Sequence, residues 1–181
     1  MASLVLTGDT SGQVTIAAPA VAGTTTITMP AVSGTMTVLS ATQSMVRLNT
    51  SNGYGSTNTV IRRFTNTVTN QGSDITYADS ATLGATFTIN TTGVYAISYT
   101  DGGNAANSFG MSLNSTQLTT NISDITAANR LAMSDTAAAN YLINISWTGY
   151  LDSGSVVRAH TSGIAANSAP ARVQFTITRV T

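Results

Sequence analysis

Chemistry needs side chains that move protons, hold metals or attack electrophiles, and this chain offers few of them. Its 181 residues contain one histidine, His160, together with seven aspartates, no glutamate and no cysteine. No multi-histidine metal site can be built, and any Ser-His-Asp arrangement must pass through His160. That residue falls in the alternation Val156–Arg158–His160, which reads as a strand, so a solvent-facing or interface position is expected for it rather than a catalytic one. Ser153-Gly154-Ser155 reads as a turn and lacks the G-x-S-x-G frame and the strand-to-helix step of a nucleophile elbow. Gly102-Gly103 has no following helix to complete a phosphate-binding fingerprint. Asp74 and Asp79 stand five residues apart across an expected turn, and Asp101 follows a strand. Calcium takes several such oxygens, but nothing gathers these into one loop, and turn aspartates usually bond their own backbone. The expectation is no catalytic residue, no metal site and no cofactor.

Arg62 and Arg63 point to opposite faces of a strand. One of them therefore lies near the core or a threefold axis, where it needs an aspartate partner, or the strand is at an edge and both guanidinium groups sit in water. The second arrangement, with both groups in water, is the one expected.

The elements that would carry these residues are strands. Charged residues make up 8% of the chain, all as Arg or Asp, while Thr, Ser and Asn number 33, 20 and 14. Lys and Glu, which normally cover helix faces, are absent. Thr suits the pleated surface of a strand, and Asn and Ser suit turns. The 42% hydrophobic content and its alternation argue against disorder. Zero net charge gives no electrostatic case for nucleic acid or an anionic membrane as partner. Met1 to Asp9 has no positive n-region and meets Gly8 too early for a signal peptide. A cytoplasmically made protein on a particle released by lysis fits these features.

Two domains are expected. Residues 1–44 carry an eleven-residue repeat, GDTSGQVTIAA, PAVAGTTTITM and PAVSGTMTVLS, which aligns Gly12, Gly23 and Gly34 and then Ile16, Ile27 and Val38. Each unit reads as a bend followed by a short strand. None has enough large apolar residues to fold alone, so three chains around an axis would bury the aliphatic positions. The stretch resembles the Gly/Pro-punctuated β repeats of phage tail-fibre and appendage stems. Leu4, Val5 and Leu6 precede it as an apolar triplet, expected to attach the protein to a particle by adding a strand to a neighbouring sheet edge; a strand within the trimer's own stem is the rival reading.

Residues 45–181 read as short strands separated by turn residues, with the spacing of a jelly-roll β-sandwich. The clearest are Val60–Phe64, Ala85–Ile89, Val94–Tyr99, Ser108–Leu113, Tyr141–Tyr150, Val156–His160 and Val173–Val180. Alternation places Tyr95, Ile97 and Tyr99 on one core face. It does the same for Tyr141, Ile143, Ile145 and Trp147, and for Val173, Phe175 and Ile177. The segment from Asn114 to Asn140 fits neither period cleanly, though a strand around Arg130–Met133 is possible there. Within FTINTTGVYAISY, Phe87, Gly93, Tyr95 and Tyr99, with Ile97 in place of Phe, resemble the signature of the globular heads of the first complement component and, more loosely, of tumour necrosis factor. LDSGSVV and the closing VQFTITRV resemble later parts of that family. The resemblance implies a compact trimeric jelly roll in which Gly93 makes a turn and the following aromatics fill the core.

Together these features point to a non-enzymatic, homotrimeric all-β structural protein of a bacteriophage virion. The expected role is capsid decoration, with the N-terminal part docked on the major capsid protein or another virion protein. The alternative is a tail-fibre tip that binds host surface glycans by hydrogen bonds from Asn and Thr and by stacking on aromatics such as Tyr54 and Tyr150.

Overall fold

The computed structural model describes residues 3–7, 13–17, 43–139, 141–163 and 172–180. The chain divides into two compact units, Met1–Leu39 and Ser40–Thr181. In the first, β1 (Ser3–Thr7) pairs antiparallel with β2 (Gln13–Ala17), setting Leu4 opposite Ile16 and Leu6 opposite Val14. The Leu4–Leu6 triplet thus already has a partner strand within its own chain along one edge. Of the repeat positions, Ile16 lies in β2; Gly12, Gly23, Ile27, Gly34 and Val38 lie outside the described residues.

The second unit is all-β, as the spacing predicts. Its strands are β3 (Met45–Tyr54), β4 (Arg62–Gln71), β5 (Ile75–Ser80), β6 (Gly84–Ile89), β7 (Gly93–Gly102), β8 (Asn107–Leu113), β9 (Arg130–Thr136), β10 (Leu142–Leu151), β11 (Val156–Thr161) and β12 (Gln174–Arg179). They form two five-stranded sheets, ordered β10-β7-β12-β3-β4 and β5-β6-β11-β8-β9, with every neighbouring pair antiparallel. The pairs β3-β4, β5-β6 and β8-β9 are hairpins within a sheet, and every other step along the chain from β3 to β12 crosses to the opposite sheet, as in a jelly-roll sandwich.

The core lies between the two inner faces and contains Phe87, Tyr95, Ile97, Tyr99, Ile143, Ile145, Phe175 and Ile177. Phe175 joins the layers: its ring stacks on Phe87 of the other sheet at 4.2 Å and meets Tyr99 and Phe64 at 5.7 and 6.0 Å. Such aromatic pairs add to the large burial of each ring. Gly93 is buried as the first residue of β7, opposite Leu151, just past the bend that the family signature assigns to it.

Two core expectations need correction. Tyr141 is 62% exposed and precedes β10 instead of lying in it. Trp147 packs against the core but stays partly buried. Both lie on or beside β10, an edge strand with a neighbour on one side only, so its inner face is less completely covered. There the indole of Trp147 lies where a side chain at Gly149 would project.

Candidate functional site

The most concentrated polar chemistry sits where the chain passes between the sheets. Ile61 bridges to His160 of β11, and the next residue, Arg62, begins β4 in the opposite sheet. This passage carries the Arg62 side chain inward, and the residue is fully buried. Its Nε donates to Asp101 Oδ2 at 2.6 Å and its Nη2 to Asp101 Oδ1 at 2.9 Å. Asp101 also accepts from the Tyr99 hydroxyl at 2.6 Å and from the Gly102 amide at 2.7 Å. Arg62 Nη1 donates to Ser51 Oγ, and its guanidinium lies 5.1 Å from the centre of the Tyr54 ring. Tyr54 in turn accepts from Thr161 Oγ1 at 3.2 Å.

The expectation that both guanidinium groups sit in water fails for Arg62, which is buried and has the aspartate partner that a core position needs. Arg63 points outward to an Asp79 ion pair at 2.7 Å, with both side chains partly exposed. Desolvating two charges costs several kcal/mol each, and only bidentate geometry with further hydrogen bonds offsets that; here the carboxylate accepts four. Burial acts to lower the Arg62 pKa, but the hydrogen bond and charge of Asp101 outweigh it and the net shift is upward. Burial and then the Asp101 charge hold the Tyr99 hydroxyl well above its ordinary value. A guanidinium fixed on a carboxylate, beside phenols that resist ionisation, neither shuttles protons nor attacks electrophiles. What the arrangement can do is lock β4, β7 and the Ser51–Tyr54 segment together.

His160 departs from expectation. It is buried, and its Nε2 lies 2.8 Å from the Thr120 carbonyl oxygen. Its pKa is lowered by burial, partly opposed by that hydrogen bond and reinforced by the Arg158 charge. It faces outward from its sheet as the alternation implies, but residues 114–126 cover it. This loop lies over the outer face of the second sheet. Its Ile122 and Ile125 are buried, and a side chain at Gly110 would meet Ile122 Cγ1 at 2.7 Å. Arg130 donates to the carbonyls of Ser123 and Ile125, each at 2.9 Å.

The aspartates do not converge. Asp74 immediately precedes β5 and Asp79 lies within it, so no turn separates them. Asp74 is held below the ordinary carboxylate range chiefly by hydrogen bonds from Thr91 and Ser44, and it lies 3.5 Å from Arg179. Among the described residues no group of three or more His, Cys, Asp or Glu side chains is placed to hold a metal.

The other outer face, on the sheet β10-β7-β12-β3-β4, has no covering loop among the described residues. The register builds its cross-strand rows. Tyr150 lies opposite Val94, and Val180 donates its amide to the Val94 carbonyl at 2.7 Å, giving an apolar row. Next come Thr148, Ala96, Thr178 and Met45, and then Ser146, Ser98, Thr176 and Arg47. Tyr150 and Val180 are 65% and 43% exposed. Sequence alternation identified the outward residues of β7, β10 and β12; it could not show that Tyr150, Val94 and Val180 line up, because that depends on register.

No family model matches the chain, and no curated protein sequence matches it. Solved structures do. The crystal structure of murine APRIL at pH 8.0 is similar over 76% of this chain and 99% of that one, with a TM-score of 0.55 and 11% identity. The structure of Eiger TNF from S. frugiperda is similar over 77% of this chain and 94% of that one, at 0.53 and 7%. The head is therefore a jelly roll of the tumour-necrosis-factor kind. At these identities the likeness speaks for the fold alone.

Proposed function

We propose that this protein is a non-enzymatic structural subunit of a bacteriophage virion, a homotrimeric capsid-decoration protein. Its N-terminal part docks on the major capsid protein or another virion protein, and its jelly-roll head projects from the particle. The observation that carries self-association is the uncovered sheet face with its Tyr150–Val94–Val180 row. Contiguous apolar surface on a hydroxyl-rich sheet favours contact with another protein surface over water. In a closed threefold ring each copy's bare face would meet a different surface of its neighbour, so that no copy is left with the face open. The eleven-residue repeat in residues 1–44 and its resemblance to phage stems support the virion setting. The mechanism is mechanical: apolar burial between copies and at the shell reinforces the particle.

The test is imaging of purified particles with measured stoichiometry, alongside sedimentation of the purified chain. Many capsid-surface copies in threes fit the proposal; a few copies at the tail, or a stable lone subunit at low concentration, overturn it. The tail-fibre reading draws on Tyr150, which is exposed, and not on Tyr54, which packs against Arg62 and bonds Thr161; binding of the chain to host polysaccharide would favour it.

A further inference from the structure

The second sheet carries a feature that neither self-association nor capsid docking uses. In β8, Ser112 pairs with Arg158 of β11 on one side. On the other side, past an irregularity between Met111 and Ser112, it pairs with Arg130 of β9. Met111, Val157 and Ala159 of the same strands belong to the core, so Ser112 and Arg158 stand on the opposite, outer face. Arg130 reaches that face too, since it donates to the loop carbonyls of Ser123 and Ile125. The result is one cross-strand row, Arg158–Ser112–Arg130, beneath the rim of the 114–126 loop.

Three donors in this row are unused. Ser112 is fully buried, yet its Oγ has no hydrogen-bond partner, and the Nε atoms of Arg158 and Arg130 are also buried without one. A buried polar atom left unpaired is costly, and three on adjacent strands call for an acceptor. The charges point the same way. Among the described residues the ion pairs engage Arg62, Arg63 and Arg179, leaving two neighbouring arginines with no carboxylate. Arg158 makes one long contact, 3.5 Å to the Ser115 carbonyl. Burial lowers its pKa, a penalty that a bound anion would relieve. The only acidic residue of the overlying loop, Asp124, is exposed. Both arginines are themselves only partly buried.

From this geometry we infer that Arg158, Ser112 and Arg130 form a binding site for a tetrahedral oxyanion, a phosphate or sulfate group. The guanidinium groups supply charge-assisted donors from two sides, and the serine hydroxyl donates from the floor. The group can arrive as a free ion or as an ester on a polysaccharide. The site lies on the opposite sheet from the Tyr150 row and does not depend on the proposal made for that surface.

The experiment is calorimetric titration of the full chain with sodium phosphate, sodium sulfate, dextran sulfate and neutral dextran, with sodium chloride as the ionic-strength control. Saturable binding of phosphate or sulfate is expected, with none of chloride or neutral dextran. Tighter binding of dextran sulfate than of sulfate identifies an ester source; binding of the small ions alone identifies the free ion. Ser112→Ala, which removes one hydroxyl and leaves both loop clamps, should weaken binding about tenfold or more. Arg158→Gln should weaken it at least as much, with circular dichroism confirming that the variant folds. The inference is overturned if phosphate and sulfate give no saturable heat, or if Ser112→Ala binds as the parent does. It is equally overturned if Ser112→Ala melts higher than the parent with and without phosphate, since the hydroxyl would then be only a packing defect.

Discussion

The two sheets share one core but finish their outer faces differently. On the β5-β6-β11-β8-β9 sheet the chain provides its own cover: loop 114–126 lays Ile122 and Ile125 against the strands and is tied down by His160 and Arg130. On the β10-β7-β12-β3-β4 sheet the outer face carries Ala, Ser, Thr and the Tyr150–Val94–Val180 row, and no described segment lies over it. The covered face carries Arg158, Ser112, Arg130 and His160 under 13 residues of loop, while the bare face carries Arg47 among small and apolar side chains, a contrast that supports the proposed contact of the bare face with another copy. The contrast also separates two kinds of stability, one intrinsic to the subunit and one that depends on its concentration.

The largest effect should come from breaking the buried ion pair of the bare-faced sheet. Arg62→Ala leaves the Asp101 carboxylate buried and unpaired, a loss of about 3–5 kcal/mol, comparable with the whole stability of many domains. Urea unfolding should show the loss, with hydrogen exchange rising first in β4 and β7, the two strands of one sheet that the pair joins. Unchanged exchange in both strands would mean that the pair does not hold them.

Next in size is Ile122→Ala, which removes the side chain seated over Gly110. About 2–4 kcal/mol is expected if the loop packs as a core element does. Exchange should rise in residues 114–126 and in β8, β9 and β11, while the state of association stays as it was. Loss of association instead would place the intersubunit contact on the wrong sheet.

Tyr150→Asp tests the bare face. Tyr150 is largely exposed in the single chain, so subunit unfolding should change by no more than about 0.5 kcal/mol. Association should suffer strongly, because a charge would have to be buried in the contact with the neighbouring copy. Sedimentation should shift from trimer to monomer; an unshifted boundary would remove this face from the interface.

Much of this contrast was visible in the residues, and some was not. Alternation marked the inward residues of β7 and β12 because Tyr95, Ile97, Tyr99, Phe175 and Ile177 switch strictly with Ala, Ser and Thr. It left β3 unmarked, since Met45–Tyr54 has only Val46 and Leu48 facing the core before a run of turn-type residues. The structure accommodates that run with two register shifts and with positive φ at Thr50 and Gly53. The expected strand at Val60–Phe64 begins two residues later and continues to Gln71, because its far half is an exposed edge of Thr and Asn that alternation cannot register. In 114–140 the apolar residues serve two surfaces: Ile122 and Ile125 pack on the outside of the sheet, while Leu131 and Ala132 of β9 pack toward the core. Neither period emerges from such a mixture. The Arg62–Asp101 pair joins residues 39 apart in sequence, so strand parity could say only that one arginine of the pair turned inward. The seat of His160 beneath a loop was beyond parity as well.

The smallest effect, and the one that most sharpens the contrast, is the pH response of the covered face. His160 is the only histidine, and in the folded chain burial, with the Arg158 charge assisting, disfavours its protonated form. The groups around it are the Thr120 carbonyl above, Arg158 two residues back on its own strand, Ile61 across the bridge and Gly110 opposite on β8. None is an acid that could compensate an imidazolium. Above the unfolded-state value of about 6.5 the ring is neutral in both states, and its full contribution to stability is present. As the pH falls through that value toward the lowered folded one, the unfolded chain takes up a proton that the folded chain resists, and stability declines. The decline ends once the pH is below the folded value, where both states are protonated. Protection factors in residues 114–126, corrected for the intrinsic slowing of amide exchange at lower pH, should therefore fall between neutral and mildly acidic pH, while those of β7 and β12 in the bare sheet stay unchanged. His160→Gln keeps a donor for the Thr120 carbonyl and cannot titrate, so it should flatten the response. A response of equal size in the variant would assign it to the aspartates, Asp74 first, since its lowered pKa makes its own contribution fade as the pH falls further.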